Sequence, residues 1–185
     1  MNDKLRKKAL MFEYTFHLLD ALCNINNKMT FFKMSKIFFL IAAIKATEDN
    51  HGLLDYFDNF YCGNWGASEG DIIDIWINRN FEHIRKYNEY CELYNIDKHT
   101  FDSLTTKEKE MIRESVKAFM LLETDYISMD VFGDVYGNGG IIGTHLQWTA
   151  IQVANEIEEV MHGKGGGLRA RLSTDNILNS AIKAF

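Results

Sequence analysis

The residues best suited to chemistry gather between Asp134 and Gln152, DVYGNGGIIGTHLQWTAIQ, where a glycine-rich loop gives way to an apolar, helix-capable run carrying Thr144, His145 and Trp148. Sites are often built where a pliant loop meets a rigid element. Glycines let backbone amides close on a phosphate, and Gly137-Asn-Gly139-Gly140-Ile-Ile-Gly143 looks like a dinucleotide fingerprint. Its spacing is G-x-G-x-x-x-G, however, and it lacks both a clear preceding strand and an acidic residue at the expected distance. A flexible turn is therefore favoured, and nucleotide binding by the glycine loops stays as an alternative. Gly163-Lys164-Gly165 has no glycine five residues before Gly163 and neither Ser nor Thr after the lysine, so it reads as a helix stop rather than a P-loop.

Other reactive side chains lack the company that chemistry requires. Six histidines (His17, His51, His83, His99, His145, His162) show no metal-binding spacing such as H-E-x-x-H. His17 lies near an apolar helical stripe and reads as a partly buried, hydrogen-bonded residue. His145 opens a helix among Thr144, Gln147 and Trp148. Anchoring the loop is its favoured role, with recognition as the other. Cys23, Cys62 and Cys91 are odd in number and far apart, which suits a reducing cytosol and gives no zinc signature. The acidic groups Asp71 and Asp74, or Glu156, Glu158 and Glu159, are explained by solvated helix faces. No catalytic residue, cofactor or metal is expected, and the chain reads as a non-enzyme.

A length of 185 residues with 46% hydrophobic and 25% charged residues suits one globular domain with its own core. A formal charge of −6 argues against general nucleic-acid binding. Local basic patches remain at Lys4, Arg6, Lys7 and Lys8 and at Lys164, Arg169, Arg171 and Lys183, read as solvated faces or tails. The longest apolar run, Ile37 to Ile44, falls short of the roughly 20 residues of a membrane span. A cytoplasmic protein is expected, and the lack of proline with plentiful Asn, Ile, Lys and Tyr reads as codon bias in an AT-rich bacterial or phage genome.

The elements follow from periodicity and capping. Residues 3–25 predict an amphipathic helix, and Thr30 caps an apolar helix over Phe31–Thr47 that is taken as the core. Cys62 to Gly70 is a glycine-rich interruption, and Ser68 to Asp71 has capping-box spacing. Helices are expected at Asp71–Asn78, Phe81–Tyr94, from the Thr105-x-x-Glu108 box to about Leu122, from Ser128, over Thr144–Met161 and after Thr174. The fold expected is mainly α, a single-domain bundle of roughly seven or eight helices. Strands are expected at most as a small hairpin among Leu53–Tyr61 and Tyr136–Ile142. The domain spans 1–162, and 163–185 forms a glycine hinge with a C-terminal amphipathic helix. The aromatic residues Trp65, Trp76, Tyr87, Tyr90 and Tyr94 are mostly core, with one or two exposed ones enough for a partner-binding surface.

Several segments in order resemble the Panacea, or SocA-like, antitoxin family. Lys33-Met-Ser-Lys36-Ile-Phe-Phe39-Leu40 is similar to its early helix pattern K-L-Q-K-L-L-Y. Leu53 to Phe60 leading to Trp65-Gly66-Ala67-Ser68 is similar to its acidic-aromatic segment and Gly-Pro-Val turn. Leu104-Thr105-Thr-Lys-Glu108, Ile127-Ser128-Met-Asp-Val131 and Thr144-His145-Leu-Gln-Trp148 are similar to the later motifs. Here the turn lacks its proline, the His-to-Trp interval is shortened, and Gly133 to Gly143 is inserted. The resemblance implies an antitoxin-like module, frequent in phages and mobile elements, that neutralises a toxin by binding it. The partner-binding residues expected on this basis are Trp65, Gly66, Ser68, Asn138, Thr144, His145 and Trp148, with the C-terminal helix as a further contact. Inhibition of a host defence protein by a phage-encoded relative is the alternative.

Overall fold

A computed structural model describes residues 1–121 other than 24, 48, 64 and 65, and gives the backbone alone at 23, 62, 63, 66, 67 and 121. Asn2 accepts the Leu5 amide at 2.9 Å and starts helix α1, Asp3–Cys23. The middle of α1 is buried on every side: residues 11–16 all lie inside, among them Met11, Phe12 and Phe16. The expected amphipathic helix is thus as central as the next one. Two polar side chains survive there because they find partners, Thr15 by donating to the Met11 carbonyl at 2.9 Å and Glu13 by accepting from the His83 amide at 2.6 Å.

Helix α2, Phe31–Ala43, begins where the sequence places it, with Thr30 accepting from the Lys33 amide at 3.4 Å. It is the core helix expected, burying ten of its thirteen residues. Its rings interlock with those of α1 and the following segment: Phe12 and Phe38 are 4.9 Å apart, Phe38 and Phe57 4.6 Å, and Phe39 and Phe60 5.1 Å, all edge-on. A single 3-10 turn at Gly52–Asp55 leads to strand β1, Phe60–Gly63, which pairs antiparallel with β2, Gly66–Glu69. Helix α3, Gly70–Ile77, follows directly. A Cβ at Gly70 would lie 2.5 Å from Asn59 Nδ2, so a larger residue there would have to displace that side chain. Strands β3, Ile84–Tyr87, and β4, Tyr90–Leu93, form a second antiparallel hairpin, and α4, Thr106–Leu121, packs on α1 and α2. The Thr105 box forms as expected: the Thr105 amide donates to Glu108 at 2.9 Å and the Glu108 amide to Thr105 Oγ1 at 3.2 Å.

These elements overturn the bundle of roughly seven or eight helices. Among the described residues there are four α-helices and two separate two-stranded sheets. The largest correction is at Phe81–Tyr94, expected as a helix and found as the β3–β4 hairpin. Apolar residues there recur at three- and four-residue intervals, which favoured a helix, but Asn88 turns the chain with φ 54°. The outer edge of β4 is also claimed by distant backbone: Cys91 donates to the Met29 carbonyl at 2.9 Å and accepts from the Asn27 amide at 3.0 Å. Such long-range bonds leave no trace in local periodicity. The first hairpin pairs Phe60–Gly63 with Gly66–Glu69, where only a loop was expected from Cys62 onward, with Phe60 opposite Glu69 and Gly63 opposite Gly66. The helices expected from Ser128, over Thr144–Met161 and after Thr174, the strand near Tyr136–Ile142 and the hinge at 163–185 lie outside the described residues.

The aromatic interlock carries the core, so Phe38→Ala is expected to lower unfolding free energy by about 3–5 kcal/mol in a urea titration.

Candidate functional site

Two arrangements bring polar groups together, and they differ in what they leave available. The first is a buried ammonium. Lys8, on the first turns of α1, is 2% exposed, and its Nζ donates to Asp58 at 2.8 Å, to Glu69 at 2.8 Å and to Asp71. The three carboxylates come from the loop before β1, the end of β2 and the first turn of α3. Glu69 is as buried as the lysine, and its second oxygen accepts the Ile72 amide at 2.9 Å, capping α3. The cap therefore falls one residue after the Ser68 that the sequence suggested. Burial alone would depress the lysine, but its hydrogen bonds to the three carboxylates push it up instead. Burial raises Glu69 against the pull of Lys8, whereas at half-exposed Asp58 desolvation is overcome by hydrogen bonds from Lys8 and Lys4, helped by the Lys8 charge, which hold the carboxyl at about 2. The three carboxylates could gather round a metal ion, but the ammonium already stands among them as the cation. This arrangement locks three segments together.

Its neighbours are engaged in the same way. Lys4 meets Asp58 at 3.2 Å, Arg6 meets Glu82 at 3.1 Å and Lys7 meets Glu108 at 2.9 Å. The basic start of the chain is neither a loose tail nor an open patch, since each of its four cations is paired. Asp71, read from sequence as part of a solvated face, belongs to the Lys8 cluster, while Asp74 is exposed. Glu13 lines a cleft of about 320 Å³ with Arg6, Lys7 and Glu82. Burial pushes its carboxyl up to about 7, with the His83 hydrogen bond and charge pulling the other way. Burial likewise pushes the Cys91 thiol up to about 12, which keeps it protonated and inert.

The second arrangement is open. A cleft of about 710 Å³ lies between the end of α3 and the β3–β4 hairpin, lined by Trp76, Ile77, Arg79, Phe81, Ile84, Arg85, Lys86, Asn88 and Tyr94. None of these nine is acidic, although Asp and Glu outnumber Lys and Arg in the chain by 26 to 20. Trp76 is fixed by stacking on Phe31 at 4.3 Å with the planes 4° apart. Arg85 lies 4.5 Å over the Tyr94 ring and meets Glu92 at 2.6 Å. The side chains of Arg79 and Lys86 make no ion pair or hydrogen bond among the described residues. Ile77 and Tyr87 are 67% and 54% exposed, large apolar surface left beside the cations.

Arg79 is placed there against backbone preference. It occupies the left-handed position after α3 with φ 56°, its amide donating to Trp76 and that of Asn80 to Ile75 in a Schellman ending. Glycine is favoured at that position, and an L-residue there costs roughly 1 kcal/mol.

Of the residues expected to bind a partner, Gly66 and Ser68 lie in β2, with Ser68 opposite Tyr61. Trp65, Asn138, Thr144, His145 and Trp148 lie outside the described residues. The structure does not bring Ser68 to the cleft. Two members of the aromatic set, Trp76 and Tyr94, do line it. The cations Arg79, Arg85 and Lys86 were missed because one residue and one adjacent pair do not stand out as a basic run, and only the turn after α3 and the hairpin gather them. No family model, curated protein or solved structure matches the chain. No helix among the described residues is long and apolar enough to cross a membrane.

Lys8→Met leaves Glu69 buried without its counter-charge. It should cost about 3–5 kcal/mol at neutral pH, less whatever water recovers around Asp58. Part of that loss should return on acidification, as the orphaned carboxylates take up protons, and urea titrations at several pH values would follow it. Glu13 gives a separate signature. Its native value, about 7, lies above the usual 4.5, so between those pH values the folded chain holds a proton that the unfolded chain has lost. Stability from this group is therefore greatest below about 4.5 and fades as pH rises to 7. Glu13→Gln, which still accepts from His83, should flatten that part of the stability profile relative to the parent protein.

Proposed function

We propose that this protein is a cytoplasmic, antitoxin-like binding module that neutralises a partner protein, most simply a toxin, by direct contact rather than by catalysis. The observation that carries the reading is the cleft at the end of α3. Trp, Tyr and Arg beside exposed Ile77 is the makeup found at the energetic centres of protein interfaces. The Arg79 backbone supports it further, because a side chain kept where glycine would be more stable is a local rule broken at a functional place. The order of motifs resembling Panacea antitoxins points the same way. The buried, free thiol of Cys91 is in keeping with a reducing compartment.

The test is co-expression with the product of the neighbouring gene, read by growth rescue and by a stable complex on size exclusion. Failure of both would remove the proposal. Where a complex forms, Arg79→Gly separates binding from folding. It should leave the melting temperature unchanged or raised, in line with relief of about 1 kcal/mol. It should also weaken the complex at least about tenfold, as loss of one interfacial arginine does. A variant that binds as tightly as the parent would place the partner elsewhere.

A further inference from the structure

We infer that the free edge of β3 is the docking line of the cleft, and that its occupant is an acidic segment of a partner protein added in extended form. This deepens the reading above and rests on it. The outward bonds of β4 reveal which groups of the hairpin are spoken for. Cys91 donates to Met29 and accepts from Asn27, and the Leu93 amide donates to Asn26 Oδ1 at 2.7 Å, so both residues turn their outward amides away from β3. Their cross-strand partners are Lys86 and Ile84. In an antiparallel ladder, residues of such a pair both point outward. The N–H and C=O of Ile84 and Lys86 therefore face away from β4, and they meet no hydrogen-bond partner among the described residues. One edge of the hairpin is closed by the turn at residues 26–29, and the other, among the described residues, is open along the cleft.

Charge then selects what adds to it. Arg79, Arg85 and Lys86 line the cleft without an acidic residue among its walls, and Glu92 offsets Arg85 alone. A second copy of this chain would bring Lys86 and Arg85 against the same cations, which like-charge repulsion across strands disfavours. A helix has no spare backbone groups to offer the edge. An extended segment does, and its alternate side chains reach Trp76 and Ile77 on the apolar wall while its carboxylates meet the cations.

The probe is an acetylated, amidated peptide of alternating Glu and Val, eight residues long by the length of a short strand. It is set beside its Lys-Val counterpart and a Glu-Val peptide N-methylated at alternate positions, each titrated into the full chain. Binding is followed by tryptophan fluorescence and amide NMR. The expected result is binding of the Glu-Val peptide at least about tenfold tighter than of the Lys-Val peptide. Amide shifts should centre on Ile84 and Lys86, with loss on N-methylation and on Lys86→Glu. Arg79→Glu serves as a second variant should Lys86→Glu disturb the hairpin. Equal binding of both charges, indifference to N-methylation, shifts away from β3, or no binding would each overturn the inference. Rescue by this chain of growth arrested by the neighbouring gene's product, together with any of those results, would leave the binding function standing and this docking mode refuted. Peptide binding without rescue would have the reverse meaning.

Discussion

One buried ammonium sets the geometry on which the rest depends. A charged lysine removed from water is tolerated only when its attraction to opposite charges repays a desolvation penalty of several kcal/mol. Lys8 meets that condition by collecting carboxylates from three separate stretches of chain. Glu69 serves it and the Ile72 amide of α3 at once, so the end of β2 and the start of α3 cannot shift independently. From there α3 is only eight residues long, roughly 12 Å, and Trp76 in its last turn stacks on Phe31 of α2. A short helix pinned at one end by charge and near the other by ring stacking has little freedom to tilt. The Schellman turn that follows therefore delivers Arg79 to a defined place, and the cleft is as rigid as the two anchors that frame it.

What the sequence made legible was what is local. The Thr30 cap, the apolar run of α2 and the Thr105–Glu108 box each depend on residues within a turn of one another, and each forms as expected. The hairpin over Phe81–Tyr94 was misread because its decisive partners are remote: Asn26, Asn27 and Met29 supply the bonds that hold β4 extended. Asn88 was the one local clue, an asparagine between two tyrosines at a point where the chain must turn left-handed. Helix α1 shows the complementary error. Its sequence carries Lys8, Glu13 and Thr15 in the middle of what proves to be core, and a polar residue reads as solvent-facing unless its buried partner is known.

The site was legible only in its aromatic half. Tryptophan and tyrosine stand out in any sequence as interface formers, and Trp76 and Tyr94 were in the set singled out. The glycine loop and His145 drew more notice, yet they fall outside the described residues, as does Trp65. The cations could not be found by clustering. Lys4, Arg6, Lys7 and Lys8 form the densest basic run near the described start of the chain, and every one is paired with a carboxylate. Arg79, Arg85 and Lys86 are spread over eight residues, and the fold draws them together along one cleft.

That contrast separates the local charge of a cleft from the net charge of the chain. A net charge of −6 describes the far field, but a binding cleft responds to charges that have no partner nearby. Carboxylates in this chain are used at the core and the helix starts, beside Lys8, Lys7 and the amides of Ile72, His83 and Thr105. On the hairpin itself Glu92 takes Arg85, and Arg79 and Lys86 make no ion pair among the described residues. The cleft thus becomes locally cationic inside an anionic protein, a field that attracts acidic surfaces at close range while the overall charge repels indiscriminate polyanions. That local field follows from how pairing is distributed in space: Lys8 alone holds three carboxylates, while Arg79 and Lys86 make no ion pair among the described residues.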